Sequence, residues 1–186
     1  MSNYYKHPSS IVDTENIGAD TRIWAFVHIL KNVSIGTNCN ICDHCYIEDG
    51  VIIGNNVTIK CGIYLWDGVS IGDDVFLGPN VVFTNDIRPR SKQYGESVKT
   101  IVMKGASLGA NSTVLAGIKI GKYAMSGIGS VITRNVPDHA LVYGNPAKIR
   151  GWVDEKGHKL IPGNKNKWTS EDGIIYILEN GLLTKI

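Results

Sequence analysis

Aliphatic residues recur in this chain at every sixth position. Ile11, Ile17, Ile23, Ile29, Ile35, Ile41, Ile47, Ile53, Ile59, Leu65, Ile71, Leu77 and Phe83 are thirteen consecutive members of that series. An amphipathic helix needs steps of three and four, and a two-faced strand needs strict alternation, so neither produces a bare six. A second series lies four residues after each member from Ile17 onward: Thr21, Val27, Val33, Cys39, Cys45, Val51, Val57, Ile63, Val69, Val75 and Val81. Its residues are small or β-branched. Composition agrees, with 24 Ile and 16 Val against 10 Leu, a bias that suits pleated strands and not helices. A unit this short cannot bury its own apolar side chains, so it must stack on its neighbours in an all-β array.

The pattern pauses after Phe83 and resumes at Val102, Leu108, Val114, Ile120, Ser126 and Ile132. Nineteen residues separate Phe83 from Val102, so the phase moves by one and an inserted loop is predicted at about 84–100. Its residues, among them Asn85, Asp86, Arg88, Pro89, Arg90, Lys92 and Gly95, are polar and turn-forming. A long irregular loop in so regular an array is more often functional than not.

From Ile11 to Arg150 the chain resembles the hexapeptide-repeat acyltransferases. That resemblance implies a left-handed parallel β-helix with three hexads per triangular coil, so that residues eighteen apart stack. About six coils are expected, with a division at residue 150 between the β-helix (1–150) and a C-terminal extension (151–186). In the extension, Asn180-Gly181 between apolar runs predicts a β-hairpin.

Stepping by eighteen aligns Asp49, Asp67 and Asn85, each two places after an aliphatic residue, as a polar ladder on one edge. The segments Trp66-Asp67-Gly68 and Thr84-Asn85-Asp86 resemble the branch of the family that N-acetylates nucleotide-linked amino sugars, 3-amino-3,6-dideoxyhexoses above all. The resemblance implies Asp67 as acceptor for the sugar amine and Asn85 as its orienting partner, with Asp86 on a sugar hydroxyl and Trp66 and Asp49 beside them. Arg88, Arg90 and Lys92 would meet the pyrophosphate, a role for which guanidinium forks are well suited. Of the histidines, His28 and His44 lie nearest by coil count, and His44 is carried as a substrate contact. The branch is thought to need no protein base.

The acyl donor is expected on the C-terminal coils. Small residues there, including Ala110, Ala116 and Gly127, would let a thin pantetheine arm approach the backbone. Asn135 to Ala140 and Tyr143-Gly144-Asn145-Pro146-Ala147-Lys148 resemble the closing segment of acetyl-CoA-dependent members, which implies Gly127, Ile128, Arg134, Pro146 and Lys148 along the CoA arm. The cosubstrate implied is acetyl-CoA, with no metal. Cys39, Cys42 and Cys45, with His44 between, mimic a zinc set, but on the hexad Cys39 and Cys45 point inward and Cys42 outward, so packing is the favoured reading.

A net charge of +2 gives no argument for nucleic acid, and no apolar run approaches a membrane span. The resemblance implies a homotrimeric N-acetyltransferase with active sites between subunits, and the expectation is a cytoplasmic enzyme acting on a dTDP-3-amino-3,6-dideoxyhexose. A UDP-linked 3-amino uronic acid is the alternative substrate, and a non-catalytic β-helix scaffold the alternative of another class.

Overall fold

Each hexad becomes a strand of two or three residues whose last side chain turns inward while the one before it faces solvent. The computed structural model describes residues 3–93, 95 and 98–186. Three parallel faces wind into the expected left-handed β-helix, and no helix occurs among the described residues, let alone one long and apolar enough to cross a membrane.

The first face runs from Tyr5–Lys6 through Arg22–Ile23, Asn40–Ile41, Thr58–Ile59, Phe76–Leu77, Ser107–Leu108 and Met125–Ser126 to Ala140–Gly144. These are eight parallel rungs and not the six coils expected, because the first and last lie outside the aliphatic series that suggested the count. At about 4.8 Å per rung the face is roughly 34 Å tall. The second face carries Ile11–Val12, His28–Ile29, Tyr46–Ile47 and Tyr64–Leu65, and then, as a separate sheet, Val82–Phe83, Thr113–Val114 and Val131–Ile132. The third carries Ser34–Ile35, Ile52–Ile53, Val69–Ile71, Thr100–Val102 and Lys119–Ile120.

The inward columns form one core. Ile23, Ile41, Ile59, Leu77 and Leu108 stack on the first face and are at most 1% exposed. The second series is buried as well, from Thr21 to Val81. One member of the aliphatic series departs. Ile11 pairs with outward-facing His28, Val12 pairs with Ile29, and Ile11 is 56% exposed. The first coil is one residue short between Val12 and Ile17, so Val12 takes the inward place.

The insertion is larger than its one-residue phase shift suggests. Ile47 pairs with Leu65, 18 residues on, whereas Phe83 pairs with Val114, 31 residues on. The difference is 13 residues, which shifts a six-residue period by one.

Beyond the last rung, Ala147–Trp152 folds back antiparallel on Ala140–Gly144, so the expected division at residue 150 falls inside a strand. A four-stranded antiparallel sheet follows: Ile161–Pro162, Lys167–Thr169, Ile175–Glu179 and Leu182–Lys185. Its final turn is the expected Asn180-Gly181 pair, both at positive φ (50° and 75°), the geometry that matches the twist of a hairpin.

Candidate active site

At each corner of the prism the residue two places after the inward aliphatic can turn its side chain back to a backbone N–H one coil earlier. Asp43 Oδ1 accepts from the Ala25 N–H at 2.9 Å, Asp49 Oδ1 from Asn32 at 3.0 Å, Asn55 Oδ1 from Thr37 at 2.9 Å and Asp73 Oδ1 from Asn55 at 2.7 Å. Backbone donors that the ladder leaves free are thereby satisfied. Asp67 and Asn85 hold the same hexad position. Both are exposed, and neither side chain has a hydrogen bond or ion pair among the described residues.

The backbone explains the difference. Tyr64–Leu65 and Val82–Phe83 are neighbours on the second face yet belong to different sheets. The Trp66 indole fills the opening, with Nε1 donating to the Phe83 carbonyl at 2.7 Å. The Asp67 N–H donates to Glu48 Oε2 at 2.9 Å. Beneath it lies Gly50, at φ +80°, where a β-carbon would fall on Asp67 Oδ1. Asp67 is therefore held by its backbone and given room by a glycine, with its carboxylate left free. Sequence reasoning missed Glu48 and Gly50. Stepping back by eighteen from Trp66-Asp67-Gly68 reaches Glu48-Asp49-Gly50 and could have found them.

Of the predicted ladder, Asp49 is half-buried and engaged with both nitrogens of Asn32, so it is a structural cap. Asn85 opens the inserted loop. Thr84 Oγ1 accepts from the Ala116 N–H at 2.8 Å and Thr100 Oγ1 from the Gly117 N–H at 3.0 Å. These two hydroxyls fix both ends of the loop on the next coil. Ile87 and Val98 then close over Gly117, leaving a cleft of about 320 Å³ lined by Asp86, Ile87, Arg88, Gly95 and Val98. Arg90 and Lys92 sit at the loop tip, where the Gln93 N–H donates to the Arg90 carbonyl at 3.2 Å and Arg90 Nη1 donates to the Pro89 carbonyl at 2.8 Å. Arg88, Arg90 and Lys92 are exposed, and no hydrogen bond or ion pair joins them to Asp67.

The expected CoA residues fall on two edges of one face. Ala116 and Arg134 follow Val114 and Ile132 by two residues and continue the Asp67–Asn85 edge. Ala110 and Ile128 follow Leu108 and Ser126 by two and lie on the opposite edge, where the Gly129 N–H donates to the Ala110 carbonyl at 2.8 Å. Ile128 is 81% exposed. Gly127 packs under Tyr143, whose Cβ would lie 2.9 Å from an added β-carbon. Pro146, in a cis peptide bond with Asn145, turns the chain so that Lys148 pairs with Tyr143, over which Arg150 lies at 5.6 Å.

His44 stacks on Phe26 with centroids 5.0 Å apart and planes 12° apart, and His28 meets Tyr46 edge-on at 5.6 Å. Both histidines line a trough with Tyr46, Tyr64 and Trp66, one residue from Asp67. The cysteines separate as the hexad requires, with Cys39 and Cys45 buried, Cys42 half-buried and Cys61 exposed. Cys39 and Cys45 donate to the carbonyls of Gly54 and Lys60 at 3.1 and 3.3 Å. Burial pushes the thiols of Cys39 and Cys42 up, and that of Cys45 up to about 12. Among the described residues no group of three or more His, Cys, Asp or Glu could hold a metal ion.

Comparison with known proteins places this geometry. A protein of Aneurinibacillus thermoaerophilus, dTDP-3-amino-3,6-dideoxy-alpha-D-galactopyranose 3-N-acetyltransferase, is 66% identical over 157 residues, 84% of this chain and 82% of that protein. The galactoside O-acetyltransferase of Lactococcus lactis is 31% identical over 98 residues, 49% of this chain and 46% of its own. Among solved structures, the acetyltransferase domain of PglB from Neisseria gonorrhoeae in complex with acetyl coenzyme A superposes with a TM-score of 0.56 at 18% identity, over 72% of this chain and 56% of that one. A variant of AntD, an N-acyltransferase from Bacillus cereus in complex with dTDP and coenzyme A, gives 0.53 at 18% identity over 80% of each chain. At such identity these two likenesses speak for the fold alone. The bacterial transferase hexapeptide family (six repeats) matches residues 16–49 and 50–85, and the hexapeptide repeat of succinyl-transferase matches 100–134. The chain belongs to the bacterial hexapeptide-repeat transferases.

Proposed function

We propose that this chain transfers an acetyl group from acetyl-CoA to the amine of a nucleotide-linked amino sugar, a dTDP-3-amino-3,6-dideoxyhexose. The observation that carries the reading is a free carboxylate at a break in the ladder, in a chain 66% identical to an enzyme named for that reaction. Asp67 accepts a hydrogen bond from the neutral amine and turns its lone pair toward the acetyl carbonyl, while Asn85 orients the amine or that carbonyl. The C–N bond forms as the C–S bond breaks. Asp67 stabilises the ammonium that develops, and the departing thiolate takes the surplus proton, leaving CoA as the free thiol. Positioning supplies most of the acceleration.

Asp86 and the basic loop residues Arg88, Arg90 and Lys92 serve the sugar and its phosphates. Ala110, Ala116, Gly127, Ile128, Arg134, Pro146 and Lys148 serve the CoA arm. Their division between two edges supports a homotrimer in which facing copies complete each site, since one prism presents each edge to a different side. A cytoplasmic setting follows from the substrates, both of which are cytoplasmic metabolites in this reading.

Release of free CoA thiol from acetyl-CoA, measured with a panel of dTDP- and UDP-linked amino sugars, tests the proposal. Turnover with dTDP-3-amino-3,6-dideoxyhexoses is expected. Turnover with UDP-linked 3-amino uronic acids alone would shift the substrate, and no turnover on any would leave only a scaffold.

A further inference from the structure

The four thiols of the chain divide into two that are engaged with backbone and two that meet each other. Cys39 and Cys45 are buried and donate to the Gly54 and Lys60 carbonyls at 3.1 and 3.3 Å. Cys42 is half-buried and Cys61 exposed, and they occupy neighbouring coils at one corner. Ile41 pairs with Ile59, the Cys42 N–H donates to the Ile59 carbonyl at 2.8 Å, and the Gly62 N–H donates to the Asp43 carbonyl at 3.1 Å. Cys61 therefore stacks on Asp43, one coil up and one residue over from Cys42. With about 4.8 Å between coils and 3.8 Å between successive Cα atoms, the two Cα atoms lie about 6 Å apart, inside the span of a disulfide. The side chains are in reach of each other as well, for burial and then the neighbouring Cys61 thiol hold the Cys42 thiol above its usual range. Asn40 aims Cys42. Its Oδ1 accepts from Trp24 Nε1 at 2.8 Å, which leaves Nδ2 to donate to Cys42 Sγ at 3.3 Å.

The pair stands at the height of Asp67. Cys61 follows inward Ile59 by two residues and Asp67 follows inward Leu65 by two, so they hold the same place on adjacent corners of one coil. The rise between them is a third of a coil, about 1.6 Å. The Cys61 corner also carries Ala110 and Ile128. Backbone bonds climb it, the Asn80 N–H donating to the Cys61 carbonyl at 3.0 Å, Asn111 to Pro79 at 2.9 Å and Gly129 to Ala110 at 2.8 Å. Rotation about a threefold axis along the prisms preserves height. The Cys61 corner of one copy then meets the Asp67 corner of the next at the level where an acetyl thioester must end, and a CoA sulfur brought to Asp67 passes Cys61. We propose, given the acetyl-CoA site of the proposed function, that Cys61 undergoes thiol–disulfide exchange with CoA disulfide and that Cys42 resolves the adduct. The Cys61 thiolate attacks one sulfur of CoA disulfide, the bond between the two CoA sulfurs breaks, and one CoA leaves as a thiolate that takes up a proton. Cys42, deprotonated in its turn, attacks the Cys61 sulfur, expels the second CoA and closes a Cys42–Cys61 disulfide. Two electrons pass from the cysteine pair to CoA disulfide, which departs as two thiols. Cys42 thereby clears an adduct that would otherwise fill the donor site.

Intact-mass spectrometry of the reduced full chain, treated with CoA disulfide, tests it. Wild type is expected to gain one CoA per chain transiently and to finish two hydrogens lighter than it began. A peptide map should then recover the Cys42–Cys61 disulfide, and dithiothreitol should reverse it. Cys42→Ser is expected to hold the CoA adduct and to lose about tenfold or more of its turnover until dithiothreitol is added. Cys61→Ser is expected to take up no CoA. Before treatment both variants should turn over within about twofold of wild type, since neither thiol takes part in acetyl transfer. Glutathione disulfide at equal concentration should react about tenfold more slowly or less, because it lacks the arm that the Ala110–Ile128 corner receives. No adduct on wild type, an adduct that persists in Cys61→Ser, or equal rates with the two disulfides overturns the assignment. If CoA is captured selectively while no nucleotide-linked amino sugar is acetylated, the proposed function fails and the thiol site stands. If such a sugar is acetylated and no CoA is captured, the thiol site alone fails.

Discussion

Asp73 and Asp67 occupy the same place in their hexads, two residues after Ile71 and Leu65, and do opposite things. Asp73 closes the corner one coil earlier, accepting from both the N–H and Nδ2 of Asn55 at 2.7 and 3.1 Å. Next to it Asn38, Asn56 and Asp74 form a second column at 3.0 Å per step, which Lys104 ends with an ion pair at 3.3 Å. On that edge each of these side chains has a partner. On the Asp67 edge the ladder breaks at Trp66, and the carboxylate is left facing solvent. Residue type and register are shared, so only hydrogen-bond saturation separates a structural aspartate from one available to a substrate.

Exchange of each for alanine gives the sharpest test. Asp67→Ala is expected to lower kcat/KM for acetyl transfer on the order of a hundredfold or more, since the amine loses its acceptor and its stabilising charge, with a thermal transition close to wild type. Asp73→Ala is expected to do the reverse. It should lose about 1.5–3 kcal/mol of unfolding free energy in denaturant titration, as Asn55 loses a charged partner, and keep activity within about twofold. His44→Ala should cost far less turnover than Asp67→Ala, and the opposite ranking would sink the assignment of Asp67.

Gly50→Ala reaches the same carboxylate without touching it. The added methyl falls on Asp67 Oδ1, and the backbone at φ +80° resists any side chain. A tenfold or greater fall in kcat is expected, with about 1 kcal/mol of lost stability. Gly62 offers the control, because its β-carbon would fall against Asn80, on a different edge. Gly62→Ala should show a comparable loss of stability by thermal melt and near-normal turnover. Equal activity losses in both variants would mean that Asp67 needs no cleared space.

Trp66→Phe keeps most of the ring and deletes one donor, the bond from Nε1 to the Phe83 carbonyl. About 1 kcal/mol of stability should go with it, together with a fall of several-fold in kcat/KM, because the break between the two halves of the second face is no longer held at one width. Normal kinetics with lowered stability would reduce the indole to a structural plug.

The division between what was legible in the chain and what was not follows the range of the interactions. The inward columns, the insertion and its phase could be read because the hexad is written in consecutive side chains, each of which needs only its own polarity. The end rungs could not. Tyr5–Lys6 carries no aliphatic residue, and Val142 lies only sixteen residues after its partner Ser126, off the six-residue step, which is why six coils were expected where eight rungs stand. The slip that exposes Ile11 and buries Val12 is likewise invisible, since both are apolar. Nor could sequence separate Asp49 from Asp67, because whether either is free depends on a backbone N–H one coil away and on a ladder that breaks at a single tryptophan.

Glu48 is the mildest lever on this comparison. Its carboxylate accepts the Asp67 N–H at 2.9 Å and fixes the turn that presents Asp67, so it is a positioning residue and not a catalytic one. Glu48→Ala frees that N–H and should lower kcat by roughly three- to tenfold, with little change in the KM for acetyl-CoA. Glu48→Gln keeps an acceptor oxygen in the same place and should recover kcat to within about twofold of wild type. A role confined to stability would move the thermal transition of both variants and leave kcat alone, whereas a role through charge would make Gln as damaging as Ala. Recovery by Gln with loss in Ala is the outcome that ties Asp67 to its backbone anchor.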